Sequence, residues 1–393
     1  MWIEEFSEQY ILVELTDYCN YNCIMCCHDR KEGPHSFKQG FMTENLFKKI
    51  IDELPPIKKP VGLKLFWLGE PFLNPLFSDM LKKCIDILRK KNSGYYIDIH
   101  TNAFLMTEEI SILLIENSDI IPRITLSLDA YNNSTYKKIR RGGDLDKVVK
   151  NIDYFLNKRE KSDKKNPGLI FQFIVMNENH KETKEFVDFW ENRLNNVKKK
   201  KNSILKNITK LSGYNLGKKI GNRLNIETPQ DVIWLKRLDT TPEKHEQAEN
   251  LYINTMEENN LSSCIKDNVE IIVSSYNLWN KEQEVVIRDS FKRRPCSGPW
   301  KTPCIRWDGE LTVCCFDPSM ELSLGNLSNN TFSQLWFGEK IENMRKLNIK
   351  GEFDKIKTKD GFTKCLNCSG LDTPFLSDEE IALYKMEKKI EDS

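Results

Sequence analysis

Three cysteines, Cys19, Cys23 and Cys26, follow one another with the spacing C-x3-C-x2-C. Thiolates so placed can reach one metal centre. A closed zinc site takes four protein ligands, and the neighbours able to complete one here are Cys27 and His28. A four-iron cluster held by three thiolates instead leaves one iron open to an exogenous ligand. A second group lies toward the other end. Cys296 and Cys314 stand in the pattern C-x12-G-x4-C around Gly309, and Cys365 and Cys368 form C-x2-C. Four ligands saturate a metal centre, so this second set reads as closed, either a four-iron cluster or a zinc ribbon. Cys315 could replace Cys314 there, and Cys304 could replace Cys296.

Composition limits what these sites can serve. The chain has 393 residues, with 59 Lys and Arg against 58 Asp and Glu, a net charge of +1. That balance gives no long-range pull toward nucleic acid or an anionic membrane. No apolar run approaches the ~20 residues of a membrane span. The opening MWIEEFSEQY lacks the basic-then-apolar order of a secretory signal. Twelve cysteines without an export signal read as ligands or catalytic groups in a reducing cytoplasm.

The elements that must position the cysteines alternate. Apolar β-type runs at 11–16, 63–68, 95–101, 123–129 and 169–176 are each followed by a helix-like segment: 43–53, 76–91, 107–117, 144–159 and 180–194. A sixth strand is predicted at 232–237. Thr43 and Thr107 sit where N-caps belong. Repeated strand–helix units predict an α/β fold, a partial (β/α)6 TIM-like barrel with right-handed crossovers. Its active site belongs at the C-terminal ends of the strands, where Cys19, Cys23 and Cys26 follow the first. The predicted division is a barrel over 1–237, interrupted by a Lys-rich insertion at 195–230, a bridging region over 238–290, and a small α+β cluster-binding domain over 291–393. The bridging region is predicted to hold a helix at 242–259 and a strand at 269–273. Cys84 falls in a helix core and Cys264 reads as a plain thiol. Of the five histidines, His28 and His100 lie nearest the predicted site, and none is assigned as a base.

The first half of the chain resembles the radical S-adenosylmethionine (SAM) enzymes. Besides the cysteine triplet, Gly69-Glu70-Pro71 follows the second strand like that family's Gly-Glu motif. Thr101-Asn102-Ala103 ends the third strand and Ser127-Leu128-Asp129-Ala130 the fourth. Arg140 lies in the segment after it. The resemblance implies a four-iron (4Fe–4S) cluster on Cys19, Cys23 and Cys26, whose open iron is chelated by SAM. It also implies a cofactor site made by Met25, Gly69, Glu70, Pro71, Asn102, Ser127 and Arg140. In that reading Glu70 accepts from the SAM ammonium, Arg140 and Ser127 hold its carboxylate or ribose, and Gly69 lets backbone approach the ligand. Two departures stand out. Met25 takes a place often aromatic in the family, and Ala103 replaces a usual glycine.

Segment 296–315, then Gly325-Asn326-Leu327, Trp336 and the C-x2-C, resembles the SPASM/twitch auxiliary-cluster domain. Nothing after Cys368 supplies the further cysteines of the two-cluster form. The resemblance therefore implies a single auxiliary 4Fe–4S cluster on Cys296, Cys314, Cys365 and Cys368, as in an aminocyclitol dehydrogenase of aminoglycoside biosynthesis. The function so implied is hydrogen abstraction from a small polar molecule (a sugar, aminocyclitol or nucleotide-sugar), ending in dehydrogenation or epimerisation. Electrons would come from a flavodoxin or ferredoxin. Modification of a ribosomal peptide is the alternative, and a zinc-bound scaffold without activity the remote one.

Overall fold

The structure, a computed structural model of the chain, describes residues 9–26, 39–57, 60–91, 94–162, 164, 166–199, 231–239, 244–266, 269–274, 294–358, 361, 365–366, 368 and 375–388. Cys27, His28, His35, the Lys-rich run 200–230 and the stretch 275–293 lie outside the described residues, as does the side chain of His245.

In chain order the strands are β1 Tyr10–Val13, β2 Asn22–Cys23, β3 Val61–Lys64, β4 Tyr95–Thr101, β5 Arg123–Ser127, β6 Arg140–Arg141, β7 Gly168–Val175, β8 Asp231–Arg237, β9 Cys264–Lys266, β10 Val269–Val273, β11 Cys304–Ile305, β12 Glu310–Thr312 and β13 Gly325–Asn326. Helices α1 Glu44–Asp52, α2 Phe77–Lys91, α3 Glu108–Glu116, α4 Asn133–Ile139, α5 Leu145–Lys161, α6 Thr183–Lys199 and α7 His245–Glu258 alternate with them. Thr43 and Thr107 do cap their helices, accepting from Leu46 N and Ile110 N. Each cap occupies a backbone donor that the first helical turn leaves unpaired.

Strands β1, β3, β4, β5, β7 and β8 lie side by side and parallel, through pairs such as Ile11↔Leu63, Leu63↔Ile97, Ile99↔Ile124, Leu126↔Phe171 and Phe171↔Ile233. This is the predicted α/β partial barrel. One phase of each strand is wholly buried beneath the helices, among them Ile11, Leu63, Ile97, Ile124, Phe171 and Ile233, all at 0% exposure. Cys84 joins this core. Burying one such side chain contributes about 1.5–3 kcal/mol.

Three boundaries differ from the sequence reading. Strand β3 stops before Phe66 and Trp67, because the chain turns there toward the loop that holds Cys19. Helix α6 runs through 195–199, the first residues of the expected insertion. The sheet also extends beyond six strands: among the described residues it has eleven, in the order β13-β12-β11-β1-β3-β4-β5-β7-β8-β10-β9. Strand β10, from the bridging region, pairs parallel with β8, and β11 pairs parallel with β1. An edge strand leaves a row of backbone donors and acceptors open, and these additions cover both edges of the six-stranded unit.

Glu14 sits at the joint between barrel and C-terminal segment. It is fully buried and accepts from Leu68 N at 3.0 Å and Trp307 N at 3.5 Å. Burial pushes its carboxyl up from an ordinary 4.5 to about 8. The folded state therefore binds the proton more tightly than the unfolded chain. Stability from this group is fully present below about pH 4.5 and is lost as pH rises through about 8, by on the order of 4 kcal/mol. Thermal unfolding at about pH 6 and about pH 9 should show a smaller loss of stability for Glu14→Gln than for the wild type. Equal losses in both would contradict this assignment.

Candidate functional site

The loop after β1 carries the first thiol group, and the turn after β3 holds that loop in place. A Cβ on Gly69 would lie 2.1 Å from Thr16 O, 2.6 Å from Tyr18 O and 2.8 Å from Asp17 C. Glu70 N donates to Tyr18 O at 2.8 Å. The close approach that glycine permits here is to the chain's own backbone.

Glu70 is buried and ties two strand ends together. Oε1 accepts from Thr101 Oγ1 at 2.7 Å and Phe72 N at 3.3 Å, and Oε2 accepts from Asn102 N at 2.8 Å. Burial outweighs these bonds and raises its carboxyl to about 7. Pro71 opens the 3-10 turn that Glu70 caps. Asn102 Nδ2 donates to Asn20 Oδ1 at 2.9 Å and lies 4.0 Å from Cys19 Sγ. Ala103 adopts φ 61°, so the turn expected of a glycine is kept by an alanine, at a strain of about 1–2 kcal/mol. Ser127 ends β5 half-buried, and Met25 is half-buried beside the exposed Cys26.

Arg140 pairs with Cys23 across the β2–β6 ribbon. Its Nη1 donates to Cys23 Sγ at 3.7 Å and its Nη2 to the Asp129 carboxylate. The guanidinium was expected to grip SAM, but two of its nitrogens serve the chain itself. Among the described residues its buried Nε has no hydrogen-bond partner, nor does the buried Nδ2 of Asn20. These donors and the carboxylate of Glu70 offer what a zwitterionic amino-acid group requires. Burial raises the Cys23 thiol, and the charge of Arg140 opposes that rise. A thiol with a cation and N–H donors beside it is suited to bind metal as thiolate.

The second thiol group is assembled from distant segments. Cys296 Sγ accepts from Gly298 N and Cys314 Sγ from Phe316 N, each at 3.4 Å. The Cys314 thiol is raised by its hydrogen bond with Cys315, by burial, and by the charges of Cys315, Cys296 and Cys368. Cys296 and Cys368 thus lie close enough to Cys314 to act on its thiol, and a shared metal centre would relieve that opposition. Cys304 is buried in β11, its Sγ donating to Thr302 O at 3.3 Å. Cys315 accepts from Tyr10 Oη at 3.8 Å, which turns it toward the barrel. Among the described residues no group of three or more His, Cys, Asp or Glu side chains converges to hold a single ion. Both thiol sets nevertheless supply donors of the kind that thiolate-bound clusters use.

Between the two groups lies the concave face of the barrel. The strand positions that alternate with the core carry Tyr10, Lys64, Asp98, His100, Arg123 and Lys236. Arg123 Nη2 donates to Asp98 Oδ2 at 2.9 Å. His100 stacks on Phe66, ring centroids 3.8 Å apart. Burial, with the charges of Lys64, Arg123 and Lys236, lowers His100 to about 3 against the pull of Asp98, so it is neutral at physiological pH. Sequence reasoning noted His100 but missed the charged residues around it. The signal was present in YYIDIHT and RITLSLD, where polar residues recur at every second strand position.

Residues 13–189 match the radical SAM superfamily, and residues 296–369 match the iron–sulfur cluster-binding domain SPASM. A tungsten-containing aldehyde ferredoxin oxidoreductase cofactor-modifying protein of Pyrococcus furiosus is 28% identical over 185 residues, covering 46% of this chain and 48% of its own. A GTP 3′,8-cyclase of Clostridium botulinum is 29% identical over 152 residues, 38% and 43% of the two chains. The chain thus spans less than half the length of these curated relatives. The solved structure of native anSMEcpe with bound AdoMet aligns over 97% of this chain and 98% of that one, at a TM-score of 0.51 and 15% identity. That likeness shows a shared fold. No helix among the described residues is long and apolar enough to cross a membrane.

Proposed function

The chain belongs to the radical SAM superfamily and carries a SPASM iron–sulfur domain, and from that premise we propose that it removes a hydrogen atom from a small polar substrate held on the concave face of its barrel. It is an enzyme that uses SAM, a 4Fe–4S cluster and auxiliary iron–sulfur chemistry. When bound, the cluster and SAM supply one-electron cleavage of the sulfonium to a 5′-deoxyadenosyl radical that abstracts hydrogen.

The residues of this chain do the positioning. In this reading Cys19, Cys23 and Cys26 hold the SAM-binding cluster. Glu70, Asn20 and Arg140 Nε meet the polar groups of SAM, with Asn102 and Ser127 alongside and Met25 backbone near the adenine. Cys296, Cys314, Cys365 and Cys368 hold a single auxiliary cluster. His100, lowered to about 3, is neutral on the concave face and serves as a hydrogen-bonding partner for substrate rather than as a base. Dehydrogenation removes a hydrogen atom, a proton and one further electron from substrate. The electron needs an acceptor close by, and an auxiliary cluster provides it; the first reduction needs an external donor such as flavodoxin or ferredoxin.

The observation that carries this reading is the contact between the auxiliary segment and the concave face. Tyr10 Oη reaches Cys315 Sγ at 3.8 Å, Trp67 Nε1 donates to Cys315 O at 3.2 Å, and β11 pairs with β1. A substrate lodged beside Tyr10 is therefore within one residue's reach of the auxiliary thiols. A polar sugar-like or nucleotide-sugar substrate suits the charged lining. The name of the GTP 3′,8-cyclases is in keeping with a small polar substrate.

The test is an anaerobic assay in D2O with sugars, aminocyclitols, nucleotide-sugars and peptides. Dehydrogenation should yield one 5′-deoxyadenosine per oxidised product with no solvent deuterium in it. Epimerisation should place one solvent deuterium in the product. Turnover of peptides alone, or no 5′-deoxyadenosine from protein loaded with iron and sulfide, would overturn the proposal.

A further inference from the structure

The concave face carries an imbalance of charge that the reaction itself does not explain. Lys64 on β3 lies with Nζ 3.8 Å from the centre of the Tyr10 ring. Lys236 on β8 lies 4.8 Å from the centre of the Trp234 ring. Both are half-buried, and among the described residues neither is joined to a carboxylate. Asp98, a buried carboxylate on β4, is engaged through Oδ2 by Arg123 at 2.9 and 3.1 Å. Strands β3 and β8 are separated in the sheet by β4, β5 and β7. Even so, the charges of Lys64 and Lys236 both reach His100 on β4, so the curvature brings them around one space. His100 is neutral, and the carboxylate that acts on Lys64, Asp98, is already paired with Arg123, so among the described residues neither lysine has an ion-pair partner of its own. Burial already lowers Lys64 from its ordinary value. An anion beside it would reverse that penalty.

We propose that Lys64 and Lys236 together bind an anionic group of the substrate, a phosphate or a carboxylate, against the aromatic floor made by Tyr10, Phe66 and Trp234. This inference rests on the concave face being the substrate site and narrows its substrate class. Phosphorylated, nucleotide-linked or carboxylate-bearing molecules fit; a free aminocyclitol, itself a cation, is repelled. Asp98 Oδ1 is buried without a hydrogen-bond partner among the described residues and is available to a hydroxyl of the same molecule.

The experiment is equilibrium dialysis of the anaerobic, SAM-saturated holoenzyme with inorganic pyrophosphate, malonate or neutral glucose. Pyrophosphate or malonate should bind and glucose should not; whichever anion binds more tightly identifies phosphate or carboxylate as the preferred group. Lys64→Met and Lys236→Met should each weaken that binding about tenfold or more, and the Arg variants should keep most of it. Lys82→Met, on the exposed face of α2, should leave it unchanged. Circular dichroism confirms each variant's fold, and Lys64→Gln and Lys236→Gln replace any Met variant that fails to fold. Absence of anion binding up to about 10 mM, or wild-type affinity in folded Lys64 and Lys236 variants, would overturn the inference. Release of 5′-deoxyadenosine is measured on the same wild-type sample. If it is released while anions do not bind, only the anion site falls. If none is released, the radical reading falls and the binding data still decide the anion site.

Discussion

Replacing Arg140 by methionine should cost about 3–5 kcal/mol of stability, because it leaves the buried Asp129 carboxylate without its cation. The pair is nearly inaccessible, at 8% and 0% side-chain exposure. Asp129 cannot simply turn outward. Its Oδ1 accepts from Ile174 N at 2.7 Å, its carbonyl accepts from Asn179 Nδ2 at 2.8 Å, and its backbone is fixed at φ 61°. The double variant Arg140→Met/Asp129→Asn should recover part of the loss, since asparagine keeps an acceptor for Ile174 N and carries no charge. Anaerobic chemical denaturation of the two single variants and the double gives the coupling directly. Additive effects would contradict a buried pair. The same Arg140→Met protein should also load less iron at the first site, because Cys23 loses the cation that favours its thiolate.

Gly69→Ala should destabilise the protein by about 3 kcal/mol or more, at the upper end of what overpacking costs. The added carbon would meet backbone atoms of three consecutive residues, the nearest at 2.1 Å. Backbone cannot step aside as a flexible side chain can. The turn must lift off the loop, which breaks the bond from Glu70 N to Tyr18 O and displaces the residue next to Cys19. A fall in both stability and iron content is expected; wild-type values for both would show that the turn is not what holds the cysteine loop.

Much of this architecture could be read from residue patterns, for identifiable reasons. The parallel strands are apolar runs bounded by helix caps, and Thr43 and Thr107 mark their helices because a side-chain oxygen there accepts a bond the helix cannot make itself. Where short-range pattern was silent, the reading failed. Strands β11 and β13 are two residues long and have no periodicity, so their addition to the barrel sheet left no trace in sequence. The run 63–68 looked like one strand because Phe66 and Trp67 are as apolar as the residues before them. Only tertiary contacts show that they leave the sheet. At the site, residue types pointed to the loop and strand ends, but not to partners. Arg140 looked like a ligand-binding arginine, and its bond to Asp129 depends on packing across 11 residues. The contact of Gly69 with the backbone of Thr16, Asp17 and Tyr18 was not legible, because sequence does not say which backbone approaches a glycine. Lys64 and Lys236 drew no reading at all, because a single lysine in an apolar strand does not show which face it lies on.

The most direct test of the central claim is a count of iron and acid-labile sulfide in anaerobically reconstituted protein. Wild type is predicted to hold about eight irons, from two four-iron clusters. The Cys19/Cys23/Cys26→Ala variant and the Cys365/Cys368→Ala variant should each hold about four, and only the first should lose all 5′-deoxyadenosine release. Zinc in place of iron at either site, or a wild-type protein that stops at about four irons, would contradict the account.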